Sequence, residues 1–223
     1  MKITDLFYKF NFVAEHRRNK MRKKIENKNV SFLCPNCIGG ILFHDLGLKF
    51  LSPTVNLMMT QTDFVKYVKH LEAYNKGNLV FFNHKDFTCP CAKLCAQDLD
   101  DLVVHFTHYS TPEEALNKWN ERKSRINFDN IFVFLEERDG LTYEELESLS
   151  ALNVRGLVVF TVHKYDLPYT VYIPKYADSG EVGNILRKNH LTEAREYESF
   201  FNFVSWFNNA NGGNYDVSEY VKK

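Results

Sequence analysis

No apolar stretch in this sequence approaches the roughly 18 uncharged residues that a membrane-spanning helix requires. The opening residues, MKITDLFYKFNFVAEH, lack the apolar core and the small-residue cleavage site of a secretory signal. Chain breakers are scarce: 10 glycines and 6 prolines in 223 residues leave little room for disorder or long linkers. Neither sign of charge is in excess, with 28 basic and 28 acidic residues. A balanced chain has no global field to steer it onto nucleic acid, and no nucleic-acid partner is expected. Five cysteines, an odd number, do not suggest a disulfide framework. Together these absences point to a cytoplasmic chain with reduced thiols.

What is present is core material. Apolar residues make up 44% of the chain, with 19 Phe and 12 Tyr, enough for one sizeable domain spanning residues 1–223. Ile3, Leu6, Phe7, Phe10 and Val13 follow helical spacing, and the segment then turns basic through Arg17, Arg18, Lys20, Arg22, Lys23 and Lys24. This edge helix, about residues 2–28, either docks on the domain or touches anionic lipid at the inner face of a membrane, with Glu15 and Glu26 diluting its charge. Docking is the simpler reading.

Val30–Leu33, Leu79–Phe82, Leu102–Phe106, Ile131–Leu135, Leu157–Val162 and Tyr169–Ile173 read as strands. Helices are expected after Thr62 or Asp63, after Thr111-Pro112, after Thr142 and over about Glu193–Asn208. Thr111 with Glu114, and Thr142 with Glu145, have capping-box spacing. Apolar strands alternating with capped helices predict an α/β fold of three layers: a mainly parallel or mixed sheet with helices on both faces.

Ligands of such folds bind beyond the carboxyl ends of the strands. Four expected strands run into polar clusters there: Cys37 to Gly40, His105 to Ser110, Glu136 to Gly140, and His163 to Asp166. Parallel strands would bring these loops to one rim. Gly39 and Gly40 either tighten a turn or let main-chain amides approach an anion, although neither a Walker lysine nor GxGxxG spacing accompanies them. Cys37 reads as an inert buried thiol, the commoner fate of a lone cysteine, or as a nucleophile activated by a following helix. His108, just past its strand, is an acid–base candidate or a structural histidine. Arg122, Lys123 and Arg125, with Asn127 beyond them, form either a solvated helix end or an anion clamp. Cys34-x-x-Cys37 is half of a zinc site, but Cys89, Cys91 and Cys95 supply a poor second half, and no metal ligand is assigned. No cofactor is indicated.

Several longer strings are distinctive: Asn36 to Gly40, Asp45 to Thr54, His108-Tyr109 with Glu114-Ala115 and Trp119 to Arg122, and Arg125 to Asn127 running into Asp129 to Val133. On these the chain resembles an uncharacterised family often labelled exopolysaccharide biosynthesis proteins, over nearly its whole length from about Val30. The resemblance implies a three-layer α/β fold and a role in bacterial surface polysaccharide, with no established reaction. The family pattern keeps Cys37 but not Cys34, and has Tyr-Pro-apolar where this chain has Thr88 to Cys91, so the extra thiols look peculiar to this member. It also raises Cys37, Gly39, Gly40, His108, Tyr109, Arg122, Arg125 and Asn127 as a shared constellation. The resulting expectation is a transferase using a sugar or sugar-phosphate donor. Gly39 and Gly40 would admit the phosphate and Arg122 or Arg125 would offset its charge. His108 would act as acid–base, oriented by Asp139 or Asp45, while Cys37 shapes the loop or attacks. The alternatives are a non-catalytic partner of a membrane-bound polysaccharide machine and a thiolate–zinc domain.

Overall fold

Every residue of the strands Ile131–Glu136 (β5) and Gly156–Thr161 (β6) is buried, as expected for central parallel strands with both faces covered. The computed structural model describes residues 3–189 and 192–222, and side chains from residue 12 onward. β5 lies between Ser31–Leu33 (β1) and β6, and Thr170–Tyr172 (β7) closes the far edge, giving a fully parallel sheet in the order β1-β5-β6-β7.

Strand alternation sorts this sheet's side chains into two cores. Phe32, Phe132, Phe134, Val158 and Phe160 face one way, against helices Ile38–Leu46 (α2), Tyr197–Phe200 (α7) and Phe203–Asn209 (α8). Leu33, Val133, Leu135, Leu157 and Val159 face the other way, toward Gln61–Lys69 (α3), Leu71–Lys76 (α4), Pro112–Lys123 (α5) and Tyr143–Ser148 (α6). The α/β class with helices on both faces is therefore present.

The sheet itself differs from expectation. Leu102–His105 (β4) does not join the parallel strands. It pairs antiparallel with Cys91–Cys95 (β3), which pairs with Asn78–Phe82 (β2), forming a separate three-stranded sheet. Leu94, Leu102 and Val104 of that sheet pack into the second core, so it forms part of the covering layer.

The expected caps are largely in place. Thr142 and Glu145 form a complete capping box at α6. At α5 Thr111 accepts from the Glu114 amide, while the Glu114 carboxylate reaches one residue further back, to the Ser110 amide. α3 is capped by Thr60, just before the expected Thr62 or Asp63. The last helix is not continuous: Phe201 is extended and bridges Val221, and Asn202 then caps α8 anew.

The first helix, Ile3–Lys24 (α1), docks through its arginines. Arg17 reaches Asp45 and Glu198, each at 2.7 Å, and Arg18 reaches Asp45 at 3.0 Å. Ala14 is buried, whereas Phe12 and Val13 are exposed. Ile3, Leu6, Phe7 and Phe10, the rest of the expected apolar stripe, lie outside the described side chains. Among the described residues no helix is long and apolar enough to cross a membrane.

Candidate functional site

Residues 34–37 leave the end of β1 and turn at once into α2. Cys34 points into the core, where its sulfur lies against Gly39 and burial pushes its thiol up to about 12. Asn36 accepts from the Ile38 amide at 3.0 Å, which ties the turn to the first residue of the helix that follows. Cys37 occupies the N-cap position of this nine-residue helix, and its side chain makes no capping bond. The thiol is left free to face outward, toward a cavity of about 430 Å³.

The imidazole of His108 meets it there, with Cys37 Sγ 3.2 Å from His108 Nε2. The two come from different sheets, and one short segment joins them. The Met59 amide donates to Pro35 O at 2.9 Å, fixing the Cys37 turn. Met58 exchanges both main-chain hydrogen bonds with His105, at 2.8 and 2.9 Å, fixing the end of β4 three residues before His108. Arg122 braces this segment from behind. It is buried, donates to Val55 O at 3.0 Å and to the Tyr109 hydroxyl, and lies over the Phe50 ring at 5.4 Å. Tyr109 in turn donates to Val55 O.

Burial pushes the Cys37 thiol above its ordinary range, and a hydrogen bond with Thr107 pulls the other way. The resting cysteine is thus a neutral thiol, with an imidazole nitrogen in place to take its proton. The positive end of α2 lies beside the sulfur and favours the thiolate once it forms.

Glu136, the last residue of β5, also lines this cavity. It is 1% exposed, and its carboxyl accepts from the Asn36 side chain. Burial pushes it up to about 8, against the pull of Arg138 and the Asn36 bond, so the acid is mainly neutral at pH 7. Arg138 and the exposed Glu181 bring opposite charges to the cavity, and Met58, Ile185 and Leu186 supply apolar wall.

The remaining expected residues lie elsewhere. Gly39 and Gly40 are buried in the first turn of α2, where close packing requires them. A Cβ on Gly39 would sit 2.7 Å from the Cys34 sulfur, and one on Gly40 2.6 Å from Asn56 Oδ1. The Ile38 amide is taken by Asn36 and the Gly39 amide by Cys34, so this turn does not offer an open row of donors to a phosphate. Asp45 is near the other end of α2, with its oxygens taken by Arg17 and Arg18. Asp139 adopts a left-handed conformation in the turn after β5 and faces Arg138 at 3.5 Å; it does not line the cavity. Arg125 pairs with Glu121 on the exposed end of α5. Asn127 holds Asn29 O and the Asp129 amide, just before β5 and therefore at the opposite end of the strands. The site thus joins Cys37 to His108, with Tyr109 and Arg122 as braces. Asp45, Asp139, Arg125 and Asn127 stand apart from it.

Sequence reasoning placed Thr107, Glu136 and Arg138 in the rim clusters and Asn36 in a distinctive string, but gave none of them a role of its own, Glu136 above all. The available signal for Glu136 was a carboxylate closing a wholly apolar strand. Its neighbour Glu137 has different work. Val162 N, His163 N, His163 Nδ1 and the Tyr165 hydroxyl all lie within 3.1 Å of its carboxylate. Burial pushes Glu137 up, but these hydrogen bonds outweigh it and hold the group below its ordinary range. Among the described residues no group of three or more His, Cys, Asp or Glu side chains is placed to hold a metal ion.

The sequence matches DUF1919, a domain of unknown function, over residues 8–208. The chain belongs to this family. An uncharacterised protein of Haemophilus influenzae is 31% identical to it over 191 residues, covering 85% of this chain and 89% of that protein. The match to DUF1919 begins within α1 and ends within α8, so it takes in both sheets and the Cys37–His108 cavity between them.

Proposed function

We propose that this protein is a covalent acyltransferase of bacterial surface-polysaccharide biosynthesis, with a sugar or sugar-phosphate as its acceptor. The observation that carries the reading is the 3.2 Å contact between Cys37 and His108 at the mouth of a cavity. The polysaccharide setting is supported by the sequence resemblance described above. The thiol favours an acyl group over a glycosyl group, because a thioester keeps its power to acylate whereas a thioglycoside is a stable product. The phosphate-bearing partner is assigned as acceptor, away from the first turn of α2, because the Ile38 and Gly39 amides there are already engaged. Arg138, shared with Asp139, offers it a cation, neutral Glu136 does not repel it, and the exposed Glu181 is the acid it must avoid.

In the first half-reaction the Cys37 proton passes to His108 Nε2, and the thiolate attacks the donor's carbonyl carbon. The bond from carbonyl to leaving group then breaks, and His108 returns the proton to the departing group. In the second half-reaction an acceptor hydroxyl gives its proton to His108 and attacks the thioester. The C–S bond breaks and the Cys37 thiol is restored. Met58, Ile185 and Leu186 shield the acyl chain from water.

p-Nitrophenyl acetate tests the first half without knowledge of the natural donor. One equivalent of nitrophenolate should be released in a burst, with one acetyl group on the peptide carrying Cys37. His108→Ala should slow that burst by roughly 10²-fold or more, and Cys37→Ala should abolish it. Acetyl groups spread over several cysteines and lysines, at a rate indifferent to either substitution, would refute the assignment.

A further inference from the structure

A second thiol–imidazole pair lies outside this site, in the antiparallel sheet. Cys91 opens β3 and stands directly across from His105 of β4, with Sγ 3.3 Å from His105 Nδ1. Cys89, two residues earlier, is within hydrogen-bonding reach of the Cys91 thiol. The Pro90 turn is folded tightly enough for the Cys91 sulfur to lie 3.4 Å from Cys89 O. The Pro90 carbonyl is held by the Phe106 amide at 2.8 Å, which keeps the turn in place. Cys91 is fully buried and Cys89 only partly so. Both line a cavity of about 350 Å³, with His84 and Phe87 on its walls. The His105 ring packs against both, 5.3 Å from His84 and 4.2 Å from Phe87.

We propose that Cys89 and Cys91 are a redox-active dithiol, which a small hydroperoxide entering this cavity closes to an intramolecular disulfide. The hydrogen-bonding reach between the two thiols leaves only a short approach to the sulfur–sulfur bond of a disulfide. Their unequal exposure divides the labour: Cys89 meets the oxidant and Cys91 resolves. Cys89 sulfur attacks the outer peroxide oxygen, the O–O bond breaks, and the alcohol (water, for hydrogen peroxide) leaves with a proton. Cys89 is then a sulfenic acid. Cys91 gives its proton to His105 and attacks the Cys89 sulfur; the S–O bond breaks and the departing hydroxide collects that proton as water. Two thiols lose two electrons and the peroxide gains them. Burial keeps His105 below its ordinary range and therefore free to accept, while burial and the neighbouring Cys89 push Cys91 up to about 11, so that it waits as a thiol.

The test is a titration of the reduced full-length chain with hydrogen peroxide, quenched with iodoacetamide and digested with trypsin. Lys85 and Lys93 bracket both cysteines in one peptide. That peptide should appear two hydrogens lighter and unalkylated after one equivalent of peroxide, and dithiothreitol should restore it. Cys91→Ser should leave Cys89 as a sulfenic acid trapped by dimedone, Cys89→Ser should leave Cys91 alkylatable, and His105→Asn should slow closure by about 10²-fold. The proposal fails if the peptide remains alkylated while other cysteines are consumed. It fails equally if linkage is between chains, or if the urea-unfolded chain closes as fast as the folded one.

Discussion

Glutamine at position 136 would remove the ionisation of the most deeply buried acid in the candidate site while keeping an acceptor for the Asn36 side chain. In the unfolded chain a glutamic acid titrates near 4.3; in the folded protein burial pushes Glu136 up to about 8. Each tenfold difference in ionisation is worth about 1.4 kcal/mol, so the gap corresponds to roughly 4–5 kcal/mol. The sign follows from where the proton is held. Between the two values the folded state retains a proton that the unfolded state has released, so stability falls as pH rises. The contribution is complete below about pH 4.3 and lost once pH passes about 8. A 223-residue chain loses roughly 2–4 °C in Tm per kcal/mol, which makes the full effect about 10 °C or more. Melting curves of wild type and Glu136→Gln from pH 5 to pH 9 would show it, since all other titrating groups are common to both. The variant should lack the downward slope and should surpass the wild type above pH 8. Parallel profiles would show that Glu136 is hydrated or paired in the folded protein, and that its neutral form has no part in the site.

Two further outcomes test the frame around the cavity. Gly40→Ala should cost about 1–3 kcal/mol in urea unfolding, because its Cβ would meet Asn56 Oδ1 at 2.6 Å; an unchanged midpoint would show that the Asn56 loop yields freely. Asp45→Ala should cost roughly 3 kcal/mol and expose α1 to protease, because Arg17 and Arg18 lose a buried partner. Burial alone would raise Asp45, but the two arginines outweigh it and hold it below its ordinary range. Its contribution is therefore present above about pH 4 and fades as pH falls through the lower folded value, a limb the variant should lack.

The elements legible in the sequence were those carried by local chemistry. Thr111 and Thr142 announce helices because each hydroxyl accepts from the amide three residues on, and the glutamate there reaches back to the amide of the cap at Thr142 or of the residue before it at Thr111. β5 and β6 show in their unbroken apolar runs. β3 was invisible because Cys-Ala-Lys-Leu-Cys has neither β-branched nor aromatic residues; its partners on either side make it a strand. The break at Phe201 is likewise dictated from afar, by the bridge to Val221 near the end of the chain. Cys37 and His108 could each be named as candidates, but their meeting depends on main-chain bonds of Met58 and Met59, residues whose types carry no such signal. Asp45 shows the converse: a suggestive carboxylate near a suggestive cysteine proves to be the anchor of a helix.

The stitch at Met58 and Met59 has a consequence for biogenesis. A nascent chain with only one sheet assembled carries a cysteine with no base and a histidine with no thiol, each as unreactive as any other. The pair comes into being only when the seam between the halves closes, so a chain still on its way to the native state does not yet present it.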